Sequence, residues 1–506
     1  MMASTQEALS AYQAGDREGA ARALLASGPM LRHDLHGLQL LGLVQEQEPD
    51  GRALFECAAL DVDPGDAQAM FNLGVADQAA GLLTRAQFRY EQALRSDPQH
   101  LGALNNLSDL LRRRRRSAEA WDCLCRYRAA GGDTAGLEIR YAKVADECGH
   151  VDAARDWFRR AADRVAGTAE ADAIHWEWAM QQLRDEEFAS GWVKYELRRA
   201  RFDHDVLAIV DYPSIPEWTG DDLTGRSLLV HKEQGLGDTI MFASCLDGLA
   251  EDAAALHLAV APTLVRLFAH SIPTAQVWPS VSDAAHPREE HQPWRAVSGP
   301  IDAQIPFGTL PLHRRRQGFP APRVFLSALP DDVAAWAARL ARMVPAETAR
   351  LRAGLVLAAG ATRSSDPGVA DGEGRSIAPV QASGLAVDGV AWFGLHERHN
   401  CDLFTAIPGL SVVHCGDWIH DMADTAALIA NLDVVVTVDT SVAHVAAATG
   451  AKVLLMLRRH GDWRWGRDRT DSYWYPDVEI FRQEREGVWE PVIARVAARL
   501  AELAAR

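Results

Sequence analysis

The chain has 506 residues, which is enough for about three compact domains that each bury a core of their own. Its formal net charge of −17 makes most of the surface repel phosphate backbones and anionic membranes, so we expect no nucleic-acid partner. The 7 cysteines are scattered and include no CxxC pair, which indicates a reducing compartment rather than a disulfide framework.

The first residues carry charges, Glu7 and Asp16 among them, where a signal peptide would need an apolar stretch. The sequence also contains no run of about 18 apolar residues, so we expect no transmembrane segment. These two observations predict a cytoplasmic protein.

Residues 1–205 repeat a helical pattern at the roughly 34-residue spacing of tetratricopeptide units. The segment 67–100 fits best, with Leu73-Gly74 in a first helix, an aromatic Tyr90 in a second, and Pro98 where that helix must stop. We predict four to five such repeats, with looser copies on both sides, and a groove that binds a protein or glycan partner. A plain helical bundle is the alternative.

Residues 206–225 contain several prolines and glycines and are predicted to be a linker. Beyond them, short apolar runs alternate with helical segments, which predicts βαβ units with buried parallel strands. The runs cover residues 227–231, 256–260, 353–359, 390–395, 433–438 and 452–457. A helix within 330–350 divides this region into two doubly wound lobes, 226–335 and 336–506, and a ligand is expected in the cleft between them.

The first candidate for chemistry is the segment that follows the run 227–231. Gly235 and Gly237 would allow a tight turn and let a ligand approach the backbone, and Asp238 stands where a carboxylate could project into the cleft. Asp is also a common helix N-cap, so a purely structural role for Asp238 is the alternative.

The second candidate follows the run 433–438, where Asp439, Thr440 and Ser441 precede a helix that carries His444. Backbone N–H groups at a helix start, two hydroxyls and an imidazole make a suitable receptor for a diphosphate. The alternative is an N-cap accompanied by a histidine buried in the core.

Two further segments are polar or aromatic. The glycine-rich loop 362–377 carries Arg363, Asp366 and Arg375. The two arginines suit the recognition of a phosphate or a carboxylate, and the alternative is that these charges only make the loop soluble. The segment 462–476 is dense in tryptophan and arginine, which suits sugars or bases but equally suits the anchoring of a loop.

Two kinds of site are not expected. Residues 396–401 contain histidines and a cysteine but lack the HExxH spacing, so we predict no metal site there. The sequence also contains no GxxxxGK[ST] loop, and Gly235-Leu-Gly237-Asp238 is not GxGxxG, so an ATPase or a dehydrogenase is unsupported.

From residue 174 to the end, the sequence resembles bacterial tetratricopeptide-repeat proteins with a C-terminal domain like the heptosyltransferases of glycosyltransferase family 9. The stretches that carry the resemblance are 191–198, 217–242, 424–453 and 462–483, and their order and length make it specific.

The resemblance implies a GT-B fold, with a Rossmann-like acceptor lobe and a Rossmann-like nucleotide-sugar lobe after the repeats. It implies metal-independent, inverting transfer without a cofactor, in which Asp238 is the general base. The donor diphosphate would be held by Asp439, Thr440, Ser441 and His444, with Gly235, Gly237 and Arg375 also on the donor. The acceptor would be a glycan or a protein such as flagellin, held by the repeats.

One departure from the family pattern concerns the loop 362–377. The family tends to carry a compact Asn-Asp-x-x-Arg-Ser arrangement, whereas here an insertion, PGVADGEG, separates Asp366 from Arg375. A scaffold protein whose glycosyltransferase-like domain only binds is therefore the alternative function.

Overall fold

The structure is a computed structural model and describes residues 3–26, 63–201, 212–280, 292–296, 299, 301–344, 350–359, 374–395 and 407–505. Within these ranges, no helix combines the length and the apolar character needed to span a membrane. The chain divides into two compact units, Met1–Arg164 and Val165–Arg506.

In its described residues, 3–26 and 63–164, the first unit consists of helices. They are α1 Ala3–Gln13, α2 Arg17–Leu25, α3 Ala67–Ala79, α4 Leu83–Ser96, α5 Leu101–Arg113, α6 Ser117–Ala129, α7 Glu138–Glu147 and α8 Val151–Arg164. The helices α3 and α5 begin at residues 67 and 101, and α4 and α6 begin at 83 and 117, so both steps equal the predicted repeat length.

The contact between α3 and α4 shows why the repeat needs a glycine. A Cβ atom on Gly74 would lie 2.6 Å from Cε1 of Tyr90, whose ring is fully buried between the two helices. The Tyr90 hydroxyl donates a hydrogen bond to Gln78 at 2.8 Å, and α4 ends before Pro98. This confirms the predicted helix pair of residues 67–100. The looser copy around Leu41-Gly42 lies outside the described residues.

The second unit contains two parallel sheets. The first has the order β3-β2-β1-β4, and the second has the order β10-β9-β8-β5-β6-β7. The strands are β1 Ser227–His231, β2 Ala255–Val260, β3 Ala275–Pro279, β4 Ala303–Pro306, β5 Leu351–Val356, β6 Val390–Gly394, β7 Val412–His414, β8 Val434–Val438, β9 Val453–Leu457 and β10 Val478–Arg482. In register, Leu228 of β1 lies opposite Leu256 of β2 and Ala303 of β4.

Helices surround and connect these strands. They are α9 Ala169–Arg184, α10 Phe188–Tyr195, α11 Arg198–Arg201, α12 Leu236–Ala243, α13 Leu249–Asp252, α14 Val265–Ser271, α15 Leu310–Arg314, α16 Pro330–Met343, α17 Pro379–Ala382, α18 Met422–Ile429, α19 Ser441–Ala448 and α20 Glu490–Ala504. The predicted fold class, helical repeats followed by two parallel α/β lobes, is confirmed.

The two sheets share one apolar core. Val230 of β1 and Val435 of β8 belong to the same buried cluster, although they lie in different sheets. On the opposite face of the larger sheet, Val434 and Val436 pack with Val496 of α20 in a second cluster. Successive strand residues point to opposite faces, so the unbroken valine run of β8 supplies both cores.

The boundary of the second unit differs from the sequence prediction, which continued the repeats to residue 205. The unit begins at Val165, because Leu183, Trp192 and Tyr195 of α9 and α10 are buried in the apolar core shared by the two sheets. The predicted linker 206–225 is also part of this unit where it is described. The N–H of Trp218 donates to the carbonyl of Gln304 at 2.8 Å, and the Trp218 ring is buried.

The buried histidine at the end of β1 makes stability depend on pH. Burial lowers the pKa of His231 to about 4, while a hydrogen bond of 2.8 Å between Nε2 and Oε1 of Gln304 partly opposes that shift. Below the unfolded-state pKa of about 6.5, the histidine of the unfolded chain binds a proton that the buried histidine of the native protein does not bind. The free energy of unfolding therefore decreases as the pH is lowered.

We therefore expect His231 to account for a loss of up to about 3 kcal/mol between pH 6.5 and pH 4. Urea unfolding across this range measures the loss. The His231→Gln variant should show a flatter dependence, since Gln takes up no proton. Equal slopes for the two proteins would show that His231 contributes nothing.

Candidate active site

The loops that follow β1 and β8 meet at one cavity of ≈ 640 Å³ in the second unit. The helices α12 and α19 both begin there, so the N-terminal ends of two helix dipoles lie at the cavity. It is lined by the residues to which the family resemblance assigned a catalytic or donor-binding role, namely Gly235, Gly237, Asp238, Arg375, Asp439, Thr440, Ser441 and His444. Leu236, Ala359, Arg458, Asp462 and Arg464 complete the lining.

Asp238 is the third residue of α12, and both of its carboxylate oxygens have partners. Oδ2 accepts a hydrogen bond of 3.0 Å from the N–H of Gly235, the N-cap residue of α12, and Oδ1 is paired with the guanidinium of Arg464. Asp238 thus stabilises the start of α12 from the third position of the helix. The alternative of a purely structural role had placed it at the N-cap, which is Gly235. It also borders the cavity, so it supports the helix and faces a potential ligand at once.

Gly237 makes room for a side chain of the facing helix. A Cβ atom at this position would lie 2.8 Å from Cδ2 of His444, so the glycine lets α12 and α19 approach each other closely. The sequence had suggested that this glycine admits a ligand to the backbone. In the structure, the imidazole of His444 occupies the space beside it.

His444 itself is almost completely buried, with 4% of its surface exposed. Its Nδ1 atom shares a hydrogen bond of 2.8 Å with the hydroxyl of Tyr475, and its ring stacks on Trp465 with centroids 5.1 Å apart. Burial lowers the pKa of His444 and raises the pKa of Tyr475. The imidazole is therefore neutral and the phenol keeps its proton at neutral pH, which makes this pair a polar contact without net charge.

Asp439 and Thr440 lie directly before α19. Oδ1 of Asp439 accepts a hydrogen bond of 2.9 Å from Nε1 of Trp465, so this carboxylate orients the ring that supports His444. Thr440 is the N-cap residue of α19, yet its side chain makes no capping hydrogen bond to the helix. The Thr440 side chain therefore accepts no hydrogen bond from the first N–H groups of α19, although its carbonyl accepts one from the N–H of Ala443 at 3.0 Å.

The glycine-rich loop contributes Arg375 to the lining, while its residues 360–373, including Arg363 and Asp366, lie outside the described residues. The ends of the loop are fixed next to β5. The N–H of Ala359 donates to the Ser376 hydroxyl at 3.1 Å, and the N–H of Ile377 donates to the carbonyl of Leu357 at 2.8 Å.

The segment 462–476, whose tryptophans and arginines were interpreted as suited to sugars or bases, supplies two lining residues, Asp462 and Arg464. Trp463, Trp465 and Trp474 are each at most 4% exposed, which agrees with the alternative that the aromatic residues anchor a loop. Their burial leaves the rings unavailable for stacking on a sugar. The sequence signal that could have identified Arg464 is its position between two tryptophans, Trp463 and Trp465, both of which are buried.

Within the described residues, which do not include 396–401, no group of three or more His, Cys, Asp or Glu side chains is placed to hold a metal ion.

The C-terminal region is similar to known proteins. Residues 420–484 match the family glycosyltransferase family 9 (heptosyltransferase), and this range includes Asp439, Ser441 and Arg464. The chain is also 30% identical over 341 residues to Protein FlbA of Caulobacter vibrioides, an alignment that covers 62% of this chain and 52% of that protein. The chain thus spans about half the length of this curated relative. These matches confirm the predicted resemblance for the C-terminal region.

Three solved structures are each similar to part of the chain. The glycosyl transferase family 9 structure from Veillonella parvula aligns with a TM-score of 0.40 and 10% identity, covering 56% of this chain and 97% of that one. ADP-heptose lps heptosyltransferase II of E. coli aligns with a TM-score of 0.39 and 13% identity, covering 55% and 98%. MamA aligns with a TM-score of 0.26 and 18% identity, covering 30% and 90%.

The contact between Gly237 and His444 yields a test of how the cavity is assembled. We expect Gly237→Ala to reduce the free energy of unfolding by about 1–3 kcal/mol, because the added methyl group overlaps the imidazole in a packed interface. Urea unfolding measures the loss.

In the His444→Ala background, the same substitution should cost much less, since the overlapping ring is gone. An unchanged unfolding midpoint for Gly237→Ala in the otherwise native protein would show that the two helices adjust freely.

Proposed function

We propose that the chain is an inverting, metal-independent glycosyltransferase that moves a sugar from a nucleotide-sugar donor to a protein or glycan acceptor. The observation that carries this proposal is the cavity that lies at the starts of both α12 and α19. It collects Asp238 and the Asp439–Ser441 segment, which are some 200 residues apart in the sequence, and the second of these lies within residues 420–484, which match glycosyltransferase family 9.

The donor half of the proposal rests on the start of α19. Its N–H groups and the hydroxyls of Thr440 and Ser441 would bind the diphosphate, because helix N-termini carry both unpaired donors and a positive dipole end. Arg375 and Arg458 border the same cavity and would add positive charge to balance the leaving diphosphate.

The acceptor half rests on Asp238. Its carboxylate would take the proton from the acceptor hydroxyl while that oxygen attacks the anomeric carbon from the face opposite the diphosphate, and the bond from this carbon to the diphosphate oxygen breaks. Each carboxylate oxygen has two lone pairs, so the contacts to Gly235 and Arg464 leave acceptor capacity for this proton.

The helical repeats of the first unit would hold the acceptor, for which flagellin is one candidate. They contain a cavity of their own, of ≈ 460 Å³, where Leu94, Leu107 and Leu111 are accompanied by Glu91, Arg95 and Arg126. Apolar residues with charges of both signs suit an extended peptide or a polar glycan. Scattered cysteines and the nucleotide-sugar donor support a cytoplasmic enzyme.

Donor binding is tested by thermal shift with ADP, UDP, GDP and their sugar conjugates. At 100 times its Kd, a bound nucleotide should stabilise the protein by about 2.7 kcal/mol. Ser441→Trp should abolish the shift by filling the cavity, whereas Ser96→Trp, on an exposed position at the end of α4, should leave it intact. A wild type that responds to none of these nucleotides, or a Ser441→Trp variant that keeps the response, would contradict the placement.

Catalysis is tested by Asp238→Asn, with release of nucleoside diphosphate as the measurement. Asn can still accept the hydrogen bond from Gly235, so the fold and the nucleotide affinity should persist, while turnover should fall by about 10²–10⁴-fold.

Retained turnover in Asp238→Asn would make Asp238 a structural residue only. A wild type that binds nucleotides but transfers no sugar to any acceptor would instead favour the alternative function, a scaffold with a glycosyltransferase-like binding domain.

A further inference from the structure

Arg464 stands between two carboxylates at the cavity. Its Nη2 atom is paired with Oδ1 of Asp238, and its Nη1 atom lies 2.6 Å from Oδ1 of Asp462. Only 14% of the Arg464 side chain is exposed. Asp238 follows β1 and Arg464 follows β9, so this one guanidinium joins the two halves of the α/β unit at the edge of the cavity.

The position of Arg464 is fixed independently of Asp238. Oδ1 of Asp462 also accepts the backbone N–H of Arg464 at 3.1 Å, which caps the short 3-10 helix Trp463–Trp465. The guanidinium lies 4.6 Å from the centre of the buried Trp463 ring. Although burial opposes its charge, the carboxylates of Asp238 and Asp462 hold the pKa of Arg464 well above its usual range, so it remains a cation. Arg464 is therefore a cation held in a fixed position, and the Asp238 carboxylate forms an ion pair with it.

The backbone on the Asp238 side is also held in place. Gln234, just before α12, has a φ of 60°, in the left-handed region that non-glycine residues seldom adopt. Its side-chain amide exchanges hydrogen bonds of 3.0 and 3.2 Å with the hydroxyl of the buried Tyr195, and its Oε1 atom lies 3.5 Å from Nη2 of Arg464. Such a backbone conformation persists only where surrounding contacts enforce it.

We infer that Arg464 is a positioning residue for Asp238, because its planar fork ties the Asp238 carboxylate to Asp462 and sets the direction in which Asp238 meets the acceptor. This inference rests on the proposed function. It assigns to Arg464 an effect on turnover that is exerted through Asp238, rather than a part in binding the donor. Lysine, which presents a single point charge, would not span both carboxylates.

The alternative role is a direct one. Arg464 borders the cavity together with Arg375 and Arg458, so it could instead bind the donor diphosphate. The two roles predict opposite results. A residue that only positions Asp238 lowers kcat and leaves nucleotide affinity unchanged, whereas an anion-binding residue weakens the affinity.

The experiment compares full-length wild type with Arg464→Met, Arg464→Lys, Asp238→Asn and the Asp238→Asn/Arg464→Met double variant. Steady-state release of nucleoside diphosphate from the donor that the wild type cleaves gives kcat and KM. Calorimetric titration with the matching nucleoside diphosphate, ADP, UDP or GDP, gives Kd. Arg467→Met is the matched control, because Arg467 lies in the same segment, is paired with Asp185 and has 16% of its side chain exposed.

We expect Arg464→Met to lower kcat by about 10²-fold, as a misplaced catalytic group does, with Kd changed less than about threefold. Arg464→Lys should recover part of this loss. In the Asp238→Asn background, Arg464→Met should lower kcat by less than about twofold, because the residue through which it acts is already disabled. Arg467→Met should keep the wild-type kcat.

Three results would overturn the inference and leave the proposed function intact. A loss of nucleotide affinity in Arg464→Met that matches its loss of kcat would make Arg464 a donor-binding residue. Additive effects in the double variant would show that it acts without Asp238. An equal loss of kcat in Arg467→Met would assign the effect to general disturbance of the segment. A wild type that cleaves no nucleotide sugar would remove the proposed function itself, and this inference with it.

Discussion

The arrangement of the second unit depends on the close approach of α12 and α19. The helix α12 follows β1 of the smaller sheet, and α19 follows β8 of the larger sheet. They meet where the imidazole of His444 occupies the space that a side chain on Gly237 would fill. Because both helices start at the same cavity, this contact brings the loops after β1 and β8 together. The core that includes Val230 and Val435 continues across the two sheets and keeps that arrangement in place.

The charges around the cavity matter more than the charge of the whole chain. The protein carries a formal charge of −17, which by itself would repel a diphosphate. Among the lining residues, however, the carboxylates of Asp238, Asp439 and Asp462 are matched by the guanidiniums of Arg375, Arg458 and Arg464. Two helix N-termini add a partial positive charge to this balance. A local environment of this kind can receive an anion within an acidic protein.

Sequence patterns predicted the elements whose physical signal is local. Continuous apolar runs predicted β1, β2, β5, β6, β8 and β9, since strands buried on both faces contain few polar residues. The same rule missed the other strands for identifiable reasons. The outer strand β3 is only partly buried, β4 has four residues and ends in proline, β7 has three residues, and β10 alternates buried with partly exposed positions.

The site was predictable to the extent that its residues lie in strand-to-helix segments. Gly235, Asp238 and Ser441 could be nominated because a helix start after a strand offers N–H groups and a dipole to a ligand. The contact between Arg464 and Asp238 could not be found in this way, because it joins positions that are distant in the sequence. The start of the second unit at Val165 is not visible in the sequence for a related reason. Helical periodicity continues through α9 and α10, and only their packing shows which core they complete.

The two ends of the glycine-rich loop are held by hydrogen bonds, and this affects how the loop can change in evolution. The hydrogen bonds from Ala359 to Ser376 and from Ile377 to Leu357 hold the chain next to β5 on both sides of the inserted sequence. When both ends of a loop are held, doubling its length costs only about 0.6 kcal/mol of closure entropy. Evolution can therefore lengthen or replace this segment with little thermodynamic penalty, and such a change need not disturb the strand that supports it.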